Sequence, residues 1–450
     1  MNYKCILIKS TNSIHSTLLI VCLLLSVNAS AQLFGGQIKP GVFKLPTTIT
    51  LAQNQIYFVA SVYDTDYSPY TAPTSAATTA TQAADGVAES STADVQGTIT
   101  TTGITVHIPV ASITGSGTLP AYSKSIYIEA GLTEDGVART LTLSWAAQAY
   151  TTSTTYIIAT IKAVGGTLNV KKLDVNAGIG NDHLGVLLGY FYYPYNSLGK
   201  VSTYQVRDIP GIPDKRFGQY DTGDAISYEH QFLYLPVTAE DGNIWLNNDL
   251  GADYANLNSS NFNLAQQGTS LTDYHACGSL FQWGRCPDGH ELITWTSYST
   301  GTAKYSTTTT LSATDTPTSA LFIIGSSTFG NWRSTLNVNL WATESSANNP
   351  CPSGFRVPTS NELTAWVTAA NASNITNALN SKLKFVGGTL RRSADGGILQ
   401  YAGSGNSLFN FHWASNSSTW NAYYCFYGAS TTGTGTGAQA VGYAVRCIKN

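Results

Sequence analysis

The chain has 450 residues, a formal net charge of -3 and only 11% charged residues, against roughly 25% in ordinary soluble domains. Hydrophobic residues make up 43%, which is enough for real cores, and the length suggests two or three domains. No Lys or Arg occurs between Lys44 and Lys124, and the lack of a basic patch argues against a nucleic-acid partner.

The N-terminus predicts a signal peptide over residues 1–31. Lys4 and Lys9 supply positive charge, "LLIVCLLLSV" is an apolar segment, and "ASA" at 29–31 has the small residues of a cleavage site. The apolar run is too short to span a bilayer, and no later segment is long and apolar enough to do so. We therefore expect an exported protein, secreted or at the cell surface, without a transmembrane segment.

Residues 32–176 predict a β-sandwich of immunoglobulin-like plan. The segments "QIYFVASVY", "GITVHIPVASI", "RTLTLSWAAQAY" and "TYIIATIKAV" are short, β-branched and aromatic, with partial period-two alternation. Clusters of Ser, Thr, Gly and Asp separate them, as in all-β sandwiches. Residues 177–235 are predicted to connect two domains, because "IPGIPDKRFGQY" is rich in the prolines and glycines of loops.

Residues 236–450 differ in composition and pattern, since they contain eight of the nine tryptophans, short strand-like segments and long loops. One helix is predicted after Pro358. Thr359 caps it, Glu362 completes a capping box, and Leu363 and Trp366 fall on one face. The final strand is predicted in "AVGYAVRCIK".

After cleavage five cysteines remain, and export makes disulfides chemically possible. None of the spacings reads as a zinc site, and the odd number leaves at least one thiol unpaired. A cysteine on the final strand could meet the one just before the helix and tie the chain end to the domain. The five are Cys277, Cys286, Cys351, Cys425 and Cys447.

Five motifs occur in order: "NIWLNNDLGADY", "CGSLFQWGRCPDGHE", "NPCPSGFRVPTSNEL", "HWASNSSTWNAYY" and "GYAVRC". Together they resemble the Fibrobacter succinogenes major paralogous domain of secreted and surface proteins in the Bacteroidetes and their relatives, over residues 236–450. The resemblance implies an α+β C-type-lectin-like fold, related in plan to the formylglycine-generating enzyme. It also implies a Cys351–Cys447 disulfide and a role in extracellular binding or adhesion. The pairing of Cys277, Cys286 and Cys425 stays open.

The segment 406–437 interleaves Asn, Ser, Thr and Gly with aromatic rings, a composition that suits a ligand surface. The residues predicted to contact the ligand are Asn416, Ser417, Trp420, Asn421 and Tyr423. The acidic residue of the calcium-dependent lectin signature is missing after Asn421, so neither calcium nor another metal or cofactor is expected. The tryptophans of "FQWGR" and "GNWRSTLNVNLW" are predicted to lie in the core.

Two further motifs each allow a functional and a structural interpretation, and the structural one is favoured for both. "DGHE" at 288–291 gathers two carboxylates and a histidine that could bind a metal, but a polar turn is favoured. "GTGTGA" at 433–438 formally fits a dinucleotide-binding pattern, but no βαβ unit can follow it, so a flexible loop is predicted.

The sequence therefore predicts a mostly β, multi-domain, non-enzymatic protein that presents a C-type-lectin-like domain to a glycan or protein ligand at the cell surface. One alternative is a structural subunit of a surface appendage or matrix, for which self-association would be needed. The other is a metal- or thiol-dependent enzyme that uses Cys425 or the "DGHE" turn.

Overall fold

The computed structural model describes residues 48–52, 54–58, 98–170, 186–194, 201–209, 211–298, 300–325, 330–386, 391–393, 399–401, 410–418 and 421–450. The predicted signal peptide lies outside these residues. The chain is mostly β with few helices. No helix in the described ranges is long and apolar enough to cross a membrane.

The first half of the chain forms a layered β structure. Its strands are β1 (Ile49–Leu51), β2 (Asn54–Phe58), β3 (Thr98–Ile99), β4 (Ile104–Ile113), β5 (Gly117–Leu119), β6 (Tyr122–Ile128), β7 (Arg139–Trp145), β8 (Gln148–Tyr150), β9 (Tyr156–Val164), β10 (Leu168–Asn169), β11 (Val186–Pro194) and β12 (Val201–Asp208). The main sheet is antiparallel, with the order β1-β4-β9-β7-β6. A second sheet has the order β11-β12-β2, in which β2 runs parallel to β12.

The first core, formed by buried residues between Ile49 and Val206, takes side chains from both sheets. Strand β9 shows why, since every second residue from Ile157 to Ala163 is buried and successive side chains of a strand face opposite sides. Trp145 of the main sheet meets Tyr193 of the second sheet edge to face, with ring centroids 6.1 Å apart. The immunoglobulin-like plan itself stays a prediction.

Residues 177–235, where the sequence predicts a connecting segment, contain six described strands, of which β11 and β12 are the first two. Side chains of β11 and β12 are part of the first core, and the second core begins at Ile209. The turn signals around Pro210 and Pro213 therefore mark the passage between two cores, whereas the preceding residues complete the first. The core members from β11 and β12 are Leu188, Phe191, Tyr193, Tyr204 and Val206.

The described residues of the second half form shorter strands and two α-helices. They are β13 (Ile212–Pro213), β14 (Tyr220–Asp221), β15 (Asp224–Tyr228), β16 (Leu233–Tyr234), β17 (Pro236–Thr238), β18 (Ile244–Leu246), β19 (Phe281–Gln282), β20 (Ile293–Ser297), β21 (Thr300–Ala303), β22 (Thr307–Thr308), β23 (Phe322–Ile323), β24 (Phe355–Arg356), α1 (Ser360–Ala369), α2 (Ile375–Leu379), β25 (Arg391–Ser393), β26 (Leu399–Tyr401), β27 (Asn410–Ser418), β28 (Asn421–Tyr427), β29 (Thr432–Ala438), β30 (Gly442–Tyr443) and β31 (Ile448–Lys449). Its larger sheets have the orders β17-β18-β31-β24, β19-β30-β25-β26 and β27-β28-β29.

Tryptophans fill the second core, which comprises buried residues between Ile209 and Ile448. Burial of the indole N–H is compensated by backbone carbonyls: Trp283 donates to Ala414 at 2.9 Å and Trp413 to Phe281 at 2.8 Å. The core position predicted for the tryptophans of "FQWGR" and "GNWRSTLNVNLW" is confirmed. The fully buried tryptophans are Trp245, Trp283, Trp332, Trp341, Trp366 and Trp413.

Helix α1 begins as predicted, with a complete capping box. The Thr359 hydroxyl accepts the backbone N–H of Glu362 at 3.3 Å, and the Glu362 carboxylate accepts the backbone N–H of Thr359 at 2.7 Å. Leu363 and Trp366 are the buried side chains of the helix. Just before the helix, Cys351 is joined by a disulfide to Cys447, which directly precedes β31, and their Cα atoms are 5.9 Å apart.

The two halves meet where the β14–β15 hairpin packs on β4. The ring of His107 on β4 lies between Tyr156 and Tyr220, with centroids 4.0 Å and 4.2 Å away. The backbone N–H of His107 donates to the Tyr220 hydroxyl at 2.7 Å, and its Nδ1 lies 2.5 Å from the Ala225 carbonyl oxygen. His107 of the first half thus contacts the β14–β15 hairpin of the second half through both its ring and its backbone.

Candidate functional site

The predicted ligand residues lie at one end of the β27–β28 hairpin, except for Trp420, which falls outside the described residues. Asn416 caps α1: its Oδ1 accepts the Ser360 backbone N–H at 2.9 Å, and its Nδ2 donates to the Ser360 hydroxyl at 3.0 Å. The Ser417 hydroxyl donates to the Asn421 carbonyl at 2.9 Å. Asn416 and Ser417 are therefore already engaged within the fold.

Tyr423 and Asn421 complete the predicted set on β28. Tyr423 is half-buried and packs partly against the second core, whereas the Asn421 side chain is exposed. Of the four described members, only Asn421 thus combines exposure with a polar side chain that has no hydrogen-bond partner in the described part of the chain. A ligand contact at this hairpin stays a prediction.

The prediction that "GTGTGA" forms a flexible loop is wrong, because these residues belong to strand β29, paired along its length with β28. The glycines make room for aromatic rings on the neighbouring strand. A Cβ at Gly435 would lie 2.7 Å from the Tyr424 ring, and one at Gly433 3.0 Å from the Phe426 ring. Their absent side chains thus serve packing, and a strand in this position cannot open a phosphate-binding helix.

The "DGHE" segment forms a turn held by its own hydrogen bonds. His290 Nε2 accepts the backbone N–H of Gln282 at 3.0 Å, so the ring proton is on Nδ1, which lies 2.7 Å from Asp288 Oδ1 and 3.0 Å from Glu291 Oε2. The three side chains have ligand atoms within 4.8 Å of one another. A metal at Nδ1 would have to displace a proton that already bridges the two carboxylates.

Glu291 also ties this turn to His230, whose Nε2 donates to Oε1 at 2.7 Å in a buried pair. Burial opposes charge on both groups, but the hydrogen bond and charge of Glu291 outweigh it and raise the pKa of His230. Burial acts to raise the pKa of Glu291, but hydrogen bonds from His230 and His290 outweigh it and hold that pKa well below the usual range. This pair is a structural ionic contact of the core.

The other three cysteines in the described part of the chain, Cys277, Cys286 and Cys425, form no disulfide there. Burial raises the pKa of the Cys425 thiol to about 11 and that of Cys286 to about 12, and it raises the pKa of Cys277 further. Thiols react as thiolates, and these three are protonated at neutral pH. Cys425 therefore lacks the activation that the thiol-enzyme alternative requires.

A cleft of about 730 Å³ lies between the β20–β21 hairpin and the loop that follows β18. Clefts in this size range accommodate small ligands. Aromatic rings and short polar side chains share its walls, among them Tyr228, Tyr274, Trp295, Asn256, Asn258 and Thr302. The residues of this cleft come from four segments that are distant in the chain, so no local pattern marks it, although the dense Asn and Asp of 253–261 are a signal.

Asp253 and His275 form a pair at one end of the cleft, each on its own 3-10 turn (Asp253–Ala255 and Tyr274–Ala276). His275 Nδ1 donates to Asp253 Oδ2 at 2.7 Å, and Asn261 Nδ2 donates to the same oxygen at 2.9 Å. A carboxylate only accepts, so His275 Nδ1 carries a proton, and in the neutral tautomer with this proton Nε2 is an acceptor. The Tyr274 ring packs against the imidazole, with centroids 4.1 Å apart.

Charges at the other end of the cleft are paired among themselves. Lys304 Nζ lies 2.7 Å from Asp221 Oδ2 and 3.5 Å from Glu229 Oε1. The Tyr305 hydroxyl also donates to Glu229. The lysine charge is therefore already balanced before any ligand arrives.

Comparisons with models of protein families, with curated proteins and with solved structures find no match for this chain. The fold and the cleft define a mostly β protein with two large cores and a ligand-sized cleft, lined by aromatic and polar side chains, in the second half. The geometry of that cleft carries the functional proposal below.

Proposed function

We propose that this chain is an exported binding or adhesion protein, secreted or at the cell surface, whose second half is a C-type-lectin-like domain that binds a glycan or protein ligand. Export is supported by the predicted signal peptide and by the disulfide between Cys351 and Cys447, since disulfides persist in oxidising compartments. The lectin-like assignment rests on the five motifs in the sequence. They supply much of the second core, including Trp283, Trp413 and the disulfide.

The observation that carries the proposal is the cleft of about 730 Å³. Flat rings beside amides and hydroxyls provide contact area together with hydrogen bonds, a combination typical of recognition surfaces. The cleft differs from a reaction centre in one respect: within the described residues that line it, no nucleophile is hydrogen-bonded to the Asp253–His275 pair. Binding is therefore the function that this geometry supports best.

The test is an array screen of the full chain against immobilised glycans and surface proteins, with and without a calcium chelator. Binding should persist in the chelator, because the acidic residue expected after Asn421 is missing. Thr294→Trp, on the exposed wall of the cleft, should block binding, whereas Asn421→Ala at the hairpin should not. The opposite pattern would place the ligand at the hairpin, and self-assembly without any array binding would favour the structural-subunit alternative.

A further inference from the structure

The Asp253 end of the cleft presents hydrogen-bond acceptors that are not used within the fold. Asp253 Oδ2 is taken by His275 and Asn261, but Asp253 Oδ1 and His275 Nε2 have no hydrogen-bond partner in the described part of the chain. Asn261 donates with its Nδ2, and its Oδ1 likewise has no hydrogen-bond partner in the described part of the chain. Three acceptors thus stand on side chains that hold one another in place.

The geometry points to a neutral saccharide as the ligand of this cleft, with two adjacent hydroxyl groups that donate to Asp253 Oδ1 and His275 Nε2. This inference rests on the proposed function and specifies its ligand. A hydroxyl brings one donor and can accept as well, so two neighbouring hydroxyls match neighbouring acceptors. The hydrogen bond to Asp253 is charge-assisted and is therefore the stronger of the two.

The remaining walls suit the other parts of a sugar. Tyr274 lies against His275 and offers a flat ring for the apolar face of a pyranose. Asn256 holds its own turn through Oδ1, which accepts the Asn258 backbone N–H at 3.0 Å, so its Nδ2 can serve further hydroxyls. Thr294 and Thr302 pair across the β20–β21 hairpin and add exposed hydroxyls on the opposite wall.

The charges of the cleft disfavour an acidic saccharide. Asp253 carries a negative charge at one end, and the Lys304 charge at the other end is already balanced by Asp221 and Glu229. A ligand carboxylate would meet repulsion without a free cation to offset it. An ammonium group could satisfy the three acceptors, but it would leave the amides and hydroxyls of the other walls without partners.

The experiment titrates the full chain with the methyl glycosides of galactose, glucose, mannose and N-acetylglucosamine, and with galacturonate as the charged counterpart of galactose. Lysine amide is the cationic probe. Calorimetry and saturation-transfer NMR measure binding, and a melting curve for each variant checks that it is folded. At least one neutral glycoside should bind, and galacturonate should bind about tenfold more weakly than galactoside.

Asp253→Asn and His275→Gln should each weaken binding by about tenfold, because each replaces one acceptor. Thr302→Trp fills the cleft from its exposed wall without touching the acceptors, so it tests the location even if Asp253→Asn fails to fold. Asn361→Ala, at an exposed position of α1 outside the cleft, is the matched surface control and should leave the affinity unchanged.

Galacturonate binding as tight as that of galactoside, preference for lysine amide, or affinity unchanged in Asp253→Asn and Thr302→Trp would overturn the inference. So would the failure of every neutral glycoside to bind. The proposed function is tested independently by the array screen. If the chain bound an acidic glycan or a protein on the array, the proposed binding function would be supported although the neutral-saccharide inference had failed.

Discussion

Arg446 donates from Nε to Asp249 Oδ1 at 2.7 Å in the second core, although 197 positions separate the two residues. His412 Nε2 donates to the same oxygen at 2.9 Å. Burial acts to raise the pKa of Asp249, but the charges of Arg446 and His412 hold it below its ordinary value. The two ends of the second half are thus joined by a buried ion pair, whose arginine also donates to the carbonyls of Leu246, Asn247 and Leu383.

Replacement of Arg446 by Met should destabilise the second core by about 3–5 kcal/mol, because it removes one of the two charged partners of the buried Asp249 carboxylate and the donor to three carbonyls. Urea unfolding followed by tryptophan fluorescence measures the change. Arg139→Met is the matched control, and it should cost much less because the partner of Arg139, Asp135, is exposed. Equal losses in the two variants would contradict the structural role given to Arg446.

Replacement of Cys447 by Ser should destabilise the second core by about 2–5 kcal/mol while the first core melts as before. The bridge spans 96 positions, and its loss gives the unfolded chain more conformational freedom. Two-transition melting of the full chain measures the effect. Peptide mapping without reductant should recover a Cys351–Cys447 fragment, and two free thiols there would refute the bridge.

The His230–Glu291 pair predicts that the second core is most stable between about pH 4.5 and 6.5. A raised histidine pKa contributes stability that is complete below its ordinary 6.5 and is lost as the pH rises through the folded-state value. A lowered glutamate pKa contributes stability that is complete above its ordinary 4.5 and is lost as the pH falls. Burial raises the pKa of Asp214 from 3.8 to about 6, so its contribution is complete below pH 3.8 and is lost as the pH rises through about 6, which shifts the optimum toward the acidic end of that range.

Melting temperatures from pH 4 to pH 9 check this prediction. The double variant His230→Gln/Glu291→Gln should lose most of the decline above pH 6.5, because no charged pair remains to be broken. A wild-type melting temperature that keeps rising through pH 8 would be inconsistent with the pair.

Replacement of Tyr220 by Ala should loosen the contact between the two halves without unfolding either core. The variant loses the ring stacked on His107 and the hydroxyl that accepts its backbone N–H. Small-angle scattering should show a larger maximum dimension, and limited proteolysis should cut faster near residue 210. Tyr127→Ala is the control, since that ring is 68% exposed on the outer face of the main sheet. Identical scattering from both variants would contradict the role of Tyr220 in the contact between the two halves.

Features that depend on near neighbours in the chain could be predicted from the residues alone. The cap of α1 joins Thr359 to Glu362 across three positions, and the alternation in β9 is visible in "TYIIATIKAV". The burial of Trp283 and Trp332 follows from the free energy gained when large apolar rings leave water, which favours a core position wherever the backbone runs. The composition also sufficed for the mostly β class.

Tertiary structure alone decided which distant segments meet. The Asp253–His275 pair spans 22 positions, the His230–Glu291 pair spans 61, and Tyr220 reaches His107 across 113. The same cause makes β29 a strand, because its glycines are favoured only when the rings of β28 lie over them. Such pairings form because the packing of the whole fold offsets the entropy cost of closing long loops. No local sequence pattern contains information about that balance.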